Sequence, residues 1–302
     1  MIHDLTPIQT VTDGIRSVHY KRDDLFTPYG KWDVNGGKVR QTILMFTKFE
    51  EYIREMCNNT VICSVSVYSP TAPVISRVAQ NFGFKCIVAV GGTKPETLHR
   101  HPMMRLAEHN GAEIRIVAGH GMSNAINAKV NQIVAEEKCF NASFDKAIYS
   151  PWGDEFMDCN AEQVQNIPDN IDTLVMSAGV GIQFACVLKG LRQYEKNINR
   201  VIAVQIGPDR RKRIDSYFES NSEGPLFERE EPYEYELQSY KGAYSKGLDI
   251  KLSSDFWLDD LYEAKAHQWM TDNISAMKTP LFWCVGRRLR ESEVNNLTKM
   301  GN

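Results

Sequence analysis

The sequence predicts an α/β protein in which parallel β-sheets are covered by helices on both faces. Short apolar runs rich in β-branched residues alternate with helix-length segments along most of the chain. The runs are continuously apolar rather than alternating, which is typical of strands buried on both faces. The length of 302 residues allows one large domain or two of ordinary size.

The predicted elements follow one another in the order that this fold class requires. The strands are short runs at 61–65, 86–90, 113–117, 173–176 and 201–204. The helices lie around them, at 41–56, 74–81, 103–110, 124–138, 184–194 and 259–270. Gly83 and Gly111 each stand between a helix and a strand, so we expect them to end those helices. Residues 209–251 are rich in charge and tyrosine and have poor periodicity, which favours an irregular excursion.

The composition excludes several classes of protein. Hydrophobic residues make up 42% of the chain and charged residues 24%, the balance of a soluble globular protein. The net charge of −3 excludes a strongly basic nucleic-acid binder, although 210–213 and 287–290 are local basic clusters, most simply read as solvated faces. No apolar run reaches about 18 residues, and no secretory signal is visible. Seven cysteines without a C-x-x-C pair predict reduced thiols in a cytoplasm, and the histidines form no metal-ligand set.

The first candidate for chemistry is the segment 35–40 (NGGKVR), which precedes a helical pattern. Two glycines let the backbone pass close to a flat or bulky group. Lys38 would lie near the partial positive charge of a helix start, which disfavours its ammonium form, and an uncharged amine can form an imine with an aldehyde. Read alone, the segment is more simply interpreted as an exposed turn.

The second candidate is 177–183 (SAGVGIQ), between an apolar strand and a helix. A glycine-rich turn before a helix offers backbone N–H groups to an anion. The dinucleotide fingerprint and the P-loop are both absent, so a single phosphate fits best. A tight turn without a ligand is the alternative.

Two further segments carry polar side chains at predicted helix starts. Residues 258–266 (LDDLYEAKA) open a helix for which Asp259 or Asp260 is a plausible N-cap, and an ordinary charged helix is the simplest interpretation. Residues 67–73 (VYSPTAP) follow a strand, and their hydroxyl and N–H groups could hold a carboxylate or form a structural turn.

Taken together and in order, these segments resemble the fold-type II pyridoxal-phosphate (PLP) enzymes of the tryptophan synthase beta-like superfamily. The similarity is greatest to the branch of 1-aminocyclopropane-1-carboxylate deaminase and D-cysteine desulfhydrase. The segments that carry the resemblance are 6–10, 21–25, 36–38, 69, 83–86, 111–115, 179–181, 244 and 260–266.

The resemblance implies an α/β fold of two domains with parallel sheets covered by helices and with pyridoxal 5′-phosphate between them. The larger, cofactor-binding domain would be 1–49 plus 146–302, and 50–145 would be a small inserted domain. Lys38 would carry the cofactor as an aldimine, and Glu263 would contact the pyridine nitrogen. The backbone of Val180, Gly181, Ile182 and Gln183 would hold the phosphate. The residues expected to face the substrate are Ser69, Thr71, Tyr244 and Tyr262, the two tyrosines also being catalytic. The resemblance also implies a homodimer.

Departures from the family pattern predict a different substrate. The family's Gly-Gly-Asn-Lys is here Asn35-Gly36-Gly37-Lys38, so the asparagine before the lysine has been lost or moved. The family's Ser-Asn-His is here Ser69-Pro70-Thr71. We expect a PLP-dependent lyase, deaminase or decarboxylase that acts at the α-carbon of an amino-acid group. One alternative is a viral-type DNA-modifying enzyme that decarboxylates an amino acid attached to a thymine base, with the basic clusters on backbone phosphates. Another is a PLP-binding protein without catalysis.

Overall fold

The computed structural model describes residues 2–12, 16–121, 123–219, 233–244 and 246–299, and the chain forms two compact units. The first unit contains Met1–Phe26, Asn35–Gly37 and Ile148–Arg287. The second unit contains Thr27–Val34, Lys38–Ala147 and Arg288–Asn302. The second unit therefore includes Lys38, which the predicted domain ranges assign to the larger domain; those ranges stay a prediction.

Strands and helices alternate through the described residues. The strands are β1 (Ile8–Thr12), β2 (Ser17–Arg22), β3 (Thr60–Ser64), β4 (Lys85–Gly91), β5 (Ala112–Ala118), β6 (Phe140–Asn141), β7 (Thr173–Ala178), β8 (Arg200–Gln205), β9 (Glu236–Ser239), β10 (Lys251–Ser253), β11 (Phe256–Trp257) and β12 (Pro280–Cys284). The α-helices are α1 (Gly37–Lys48), α2 (Glu50–Met56), α3 (Thr71–Phe82), α4 (Pro95–Leu98), α5 (Pro102–His109), α6 (Ser123–Glu137), α7 (Phe144–Ile148), α8 (Gly153–Ala161), α9 (Ile182–Gln193), α10 (Arg211–Glu219), α11 (Glu263–Asp272) and α12 (Glu291–Lys299).

The main sheet of the first unit has the strand order β1-β2-β12-β7-β8-β9, with β1 antiparallel to β2 and the other neighbours parallel. Consecutive residues of β7 enter different cores, because side chains alternate across a strand. Leu174 packs in a cluster with Leu188 of α9, whereas Val175 packs in a second cluster with Met270 of α11. Burial on both faces explains why these strands are continuously apolar.

The sheet of the second unit has the order β5-β4-β3-β6, and all its neighbours are parallel. Ile62 of β3 and Ile87 of β4 pack against Ile126 and Val130 of α6. Gly83 is the left-handed C-cap of α3, with φ 72°, and Gly111 has φ 86° after α5. The predicted strands and the glycine ends of these helices are confirmed.

Three expected elements differ in detail. The pattern at 41–56 forms two helices, α1 and α2, because the chain leaves helical geometry at Phe49 (φ −109°, ψ 15°), whose ring packs 5.3 Å from that of Phe140. The helix for which Asp259 or Asp260 is the expected N-cap begins only at Glu263, and its N-cap is Tyr262. The Asp259 carboxylate instead accepts the N–H groups of Leu261 and Tyr262, at 3.0 and 2.8 Å, and so caps a turn before the helix.

The segment 209–251 was expected to be irregular, but it contains α10 and β9; residues 220–232 and 245 lie outside the described residues. Ile214 and Tyr217 are fully buried and lie three positions apart, on one face of α10. The charged residues around them hide this short apolar stripe. The basic cluster is also more than a solvated face, because the Arg213 Nε donates to the Tyr217 hydroxyl at 2.8 Å.

No helix among the described residues has the length and apolar character needed to cross a bilayer. All seven cysteines are free thiols and buried.

Gly190 sets how closely α9 approaches α8. A Cβ at this position would lie 2.3 Å from the backbone oxygen of Ala161, which cannot move aside as a side chain could. We expect Gly190→Ala to destabilise the protein by about 2 kcal/mol or more, because overpacking outweighs the gain in helix propensity. Chemical denaturation measures the change.

Gly119→Ala is the matched control, because a Cβ there meets nothing within 4 Å. We expect its stability to stay within about 1 kcal/mol of the wild type. Equal stabilities of the two variants would contradict the packing argument.

Candidate active site

A glycine turn joins β7 to α9 in the first unit. Gly181 is the N-cap of α9 and has φ 98°, a conformation that favours glycine. It has no side chain, so residue 181 offers no capping oxygen to the N–H groups of the first helical turn. Val180, the turn's central residue, is 44% exposed. The turn therefore presents backbone donors and the positive end of a helix dipole.

Side chains from other parts of the first unit support this turn closely. A Cβ on Gly179 would lie 3.0 Å from the Tyr262 ring, and a Cβ on Gly181 would lie 2.7 Å from Ile214 of α10. The Arg210 Nε donates to the Gly179 carbonyl oxygen at 3.0 Å. The turn is thus held in place by contacts that larger residues at 179 and 181 would disturb.

Glu263 is the first residue of α11 and is buried, with 2% of its surface exposed. Its Oε2 accepts the N–H of Asp259 and its Oε1 accepts the N–H of Gly286, both at 3.1 Å. Burial raises the pKa of Glu263 to about 8, and the carboxylates of Asp259 and Asp24 add to the shift, whereas the two backbone hydrogen bonds oppose it. An unshielded negative charge is therefore costly here, and a cationic group beside Glu263 would relieve that cost.

Burial also raises the pKa of the Cys284 thiol, and Glu263 contributes to the shift. Cys284 therefore stays protonated, as expected of a buried, inert thiol.

The residues just before Lys38 are fixed against the end of β12. The Gly37 N–H donates to the Val285 carbonyl at 3.0 Å. The Asn35 side chain accepts the Arg287 N–H at 2.8 Å and donates to the Arg287 carbonyl at 3.1 Å. Gly36, with φ 85°, passes so close that a Cβ would lie 2.2 Å from the Val285 oxygen. The Asn35 side chain thus helps to fix the backbone that leads to Lys38.

Asn160, on α8, is a residue of this region that the sequence reasoning missed. Its Nδ2 donates to the Gly37 carbonyl at 3.2 Å and to Gln183 Oε1 at 2.8 Å. A Cβ on Gly37 would lie 2.6 Å from Gln183 Oε1 and 3.0 Å from Asn160 Nδ2. The amide pair therefore occupies the space that a side chain at residue 37 would need. No local motif marks Asn160, so only the folded chain reveals it.

Tyr244 and Tyr262 come together in the first unit, with their hydroxyl oxygens 2.7 Å apart. Lys265, fully buried on α11, holds the segment that carries Tyr244. Its Nζ donates to the carbonyls of Ala243 and Tyr244 at 2.9 and 2.6 Å. The buried ammonium group of Lys265 thus helps to position the tyrosine pair. Residues 258–266 are therefore not the solvated charged helix that their sequence alone favours.

In the second unit, the structure brings Lys38 together with the segment after β3. The Lys38 Nζ donates to the Thr71 hydroxyl at 3.1 Å. The Ser69 hydroxyl oxygen accepts the Thr71 N–H at 3.2 Å. Three of the predicted site residues are therefore neighbours in this unit, while their roles toward cofactor and substrate stay predictions.

Comparison with known proteins identifies related chains. Residues 5–243 match the family model of pyridoxal-phosphate dependent enzymes. The O-seryl-dTMP PLP-dependent decarboxylase of Salmonella phage ViI is 30% identical over 226 residues, which are 70% of this chain and 52% of that protein. The chain therefore spans about half the length of this curated relative.

Solved structures share the fold at lower identity. An ACC deaminase homologue is 21% identical with a TM-score of 0.75, covering 97% of this chain and 94% of that one. O-ureido-L-serine synthase is 14% identical with a TM-score of 0.66, covering 100% and 95%. Threonine deaminase isoform 2 of Solanum lycopersicum is 13% identical with a TM-score of 0.65, covering 99% and 84%. The predicted α/β fold of the fold-type II PLP enzymes is confirmed.

The buried carboxyl of Glu263 predicts a pH dependence of stability in the cofactor-free protein. Its folded-state pKa of about 8 exceeds the ordinary value of 4.5, so the folded state binds more protons than the unfolded state between those limits. Stability should therefore fall as pH rises from about 5 to about 8. In Glu263→Gln the fall should be smaller by a few kcal/mol, since one pKa unit corresponds to about 1.4 kcal/mol.

Urea denaturation at several pH values measures the difference, and Glu51→Gln, at an exposed position of α2, is the control. An identical pH profile for wild type and Glu263→Gln would show that this carboxyl ionises normally.

Proposed function

Because the chain belongs to the family of pyridoxal-phosphate dependent enzymes, we propose that it is a decarboxylase that removes the carboxyl group of a seryl unit carried by a thymine nucleotide. The observation that carries the proposal is the 30% identity over 226 residues to the phage O-seryl-dTMP decarboxylase. The nucleotide is free or part of DNA, and the chemistry at the seryl group is the same in both.

The first unit offers groups that fit the cofactor, pyridoxal 5′-phosphate. The N–H groups of the turn at 180–183 suit its phosphate, since a dianion is favoured at a helix N-terminus. Glu263 suits its pyridine nitrogen, because a protonated ring nitrogen provides the cation that the buried carboxyl needs. When bound, the cofactor supplies an electron sink for the pair left at the α-carbon, and Lys38 supplies the amine that bonds to its aldehyde.

The segment Ser69-Pro70-Thr71 suits a carboxylate that must leave as carbon dioxide. Pro70 has no N–H, so this segment offers fewer donors than a motif of three ordinary residues would. Hydrogen bonds that stabilise a carboxylate are lost when it becomes neutral carbon dioxide, so fewer of them mean a smaller barrier.

The reaction requires one proton at the α-carbon. The bond between the α-carbon and the carboxyl carbon breaks, its electron pair remains with the α-carbon, and a proton replaces the carbon dioxide. Lys38 is the proposed donor of that proton after the substrate's own amine has replaced it on the aldehyde. Its Nζ donates to the Thr71 hydroxyl at 3.1 Å. The product is an aminoethyl ether of the thymine nucleotide.

The paired hydroxyls of Tyr244 and Tyr262 are proposed to flank the substrate. Tyr244 is 40% exposed, which leaves it accessible to a ligand. Because the hydroxyls are 2.7 Å apart, one of them donates a hydrogen bond to the other. The pair can thus orient a polar group of the substrate or hold a proton there.

The basic clusters support DNA contact less directly than their sequence suggests. Arg210 and Arg213 donate to Gly179 and Tyr217 within the first unit, and the Arg211 guanidinium lies 4.5 Å from the Tyr235 ring centroid. These three arginine side chains already make contacts within the protein, so they are less available to bind DNA phosphates. The free buried cysteines support a reducing compartment such as the cytoplasm, and a homodimer stays a prediction from the resemblance.

We expect the purified protein to release carbon dioxide from O-seryl-dTMP in the presence of PLP, and Lys38→Ala to abolish both this activity and the visible absorbance of the bound cofactor. Lys48→Ala, at an exposed position of the same helix, should retain both. Labelled carboxyl carbon in the substrate gives the rate. An oligonucleotide with an O-seryl-thymine base distinguishes the DNA-borne from the free nucleotide.

Other outcomes select the alternatives. Release of ammonia without carbon dioxide would indicate a deaminase. Cofactor absorbance that no seryl substrate changes would indicate a PLP-binding protein without catalysis. A colourless protein that takes up no PLP would refute the proposal.

Removal of one hydroxyl tests the tyrosine pair. Tyr262→Phe should lower kcat for O-seryl-dTMP at least tenfold, while PLP affinity changes little. Loss of a group that transfers a proton in the transition state typically lowers the rate by about 10²–10⁴. Tyr149→Phe, which removes an exposed hydroxyl bonded to Ser216, is the control. An unchanged kcat in Tyr262→Phe would exclude this role.

A further inference from the structure

Tyr68 is an exposed aromatic residue directly before the proposed carboxylate-binding Ser69. Tyr68 is 45% exposed, whereas its neighbour Val67 is 7% exposed. The Ser69 N–H donates to the Ser66 carbonyl at 2.9 Å, which closes a turn around 67 and 68. The turn buries the valine and directs the tyrosine to solvent.

Other groups of the second unit fix this tyrosine. The His101 ring lies edge-to-face with the Tyr68 ring, with centroids 5.1 Å apart and planes at 87°. Burial lowers the pKa of His101, so this ring is neutral at physiological pH and acts as an aromatic neighbour rather than a cation. The Arg288 Nη1 lies 3.5 Å from the Tyr68 carbonyl oxygen. An exposed ring with a fixed orientation loses little conformational entropy when a ligand covers it.

The position of Tyr68 relates it to the reacting end of a substrate. Ser69 follows directly, its hydroxyl accepts the Thr71 N–H, and the Thr71 hydroxyl accepts from Lys38. A ligand whose carboxylate lies at Ser69 and Thr71 therefore has an exposed aromatic ring on the residue directly before them. A free amino acid is too small to use such a ring, but an amino acid joined to a flat heterocycle can.

We propose that Tyr68 is a stacking platform for the thymine base of the substrate and determines its specificity for a nucleotide-borne seryl group. This inference rests on the proposed function and deepens it. Stacking of a base on an aromatic side chain needs no hydrogen-bond donor and is tolerant of the base's substituents, which suits a base that carries a bulky seryl group. The neighbouring Arg288 adds positive charge near a ligand that carries a phosphate.

Binding of dTMP to the PLP-loaded protein tests the proposal, with isothermal titration calorimetry as the readout. Tyr68→Ala should weaken dTMP binding by about 5- to 150-fold, the range found for loss of one base–aromatic stack, and Tyr68→Phe should stay within about threefold of the wild type. The control is Tyr52→Ala, another exposed tyrosine of the second unit, at 53% exposure. It should bind dTMP as the wild type does.

Kinetics separate this inference from the proposed function. If both hold, Tyr68→Ala raises KM for O-seryl-dTMP more than it lowers kcat, and its PLP affinity is unchanged. If wild type decarboxylates O-seryl-dTMP and Tyr68→Ala has the same KM and the same dTMP affinity, the platform is refuted while the function stands. Failure of wild type to bind dTMP overturns the platform, and failure to release carbon dioxide from any seryl substrate overturns the function. Binding of 2-deoxyribose 5-phosphate as tight as that of dTMP would also overturn the platform.

Discussion

The structure of the first unit depends on the buried carboxyl of Glu263. The hydrogen bonds that this carboxyl accepts come from backbone N–H groups and not from a cationic side chain. Glu263 ties the start of α11 to the segment after β12, because its two oxygens accept the N–H groups of Asp259 and Gly286. The cost of that burial is visible in a pKa of about 8. A protonated ring nitrogen of the cofactor, placed beside Glu263 as proposed, would offset this cost. The burial that costs free energy in the cofactor-free protein would then favour cofactor binding.

The segment that Glu263 fixes also fixes the residues before the proposed reactive lysine. Val285 accepts the Gly37 N–H, and Arg287 exchanges two hydrogen bonds with Asn35. Only glycine tolerates this approach at residue 36, where a Cβ would lie 2.2 Å from a carbonyl oxygen. The start of α1 is thus placed by backbone contacts rather than by the lysine itself. A flexible side chain such as lysine gains defined geometry when its own backbone is held in this way.

Sequence reasoning was accurate where local pattern and tertiary packing agree. β7 is predictable from its continuous apolar run. The run is apolar because Leu174 and Val175 enter two different cores. It failed at α10, whose short apolar stripe is masked by charge, and it could not find Asn160, which contacts residues far away in the chain. Read locally, 258–266 also indicates a solvated charged helix, yet Asp259, Glu263 and Lys265 are all buried. Burial of charge depends on the whole fold, and only the resemblance to known enzymes pointed to Glu263.

The proposed roles of the two units differ, and so does the chemistry that each would perform. In the first unit the glycine turn and Glu263 are proposed to serve the cofactor, whose electron sink any reaction with a carbanion at the α-carbon needs. In the second unit Pro70 and Tyr68 stand where the substrate's carboxylate and its attached group are proposed to lie. Loss of a carboxylate donor favours a carboxyl that leaves, and an exposed ring favours a substrate with a flat appendage. Both changes point to one substrate class, because an enzyme that recognises its substrate through the base can bind the reacting carboxylate weakly.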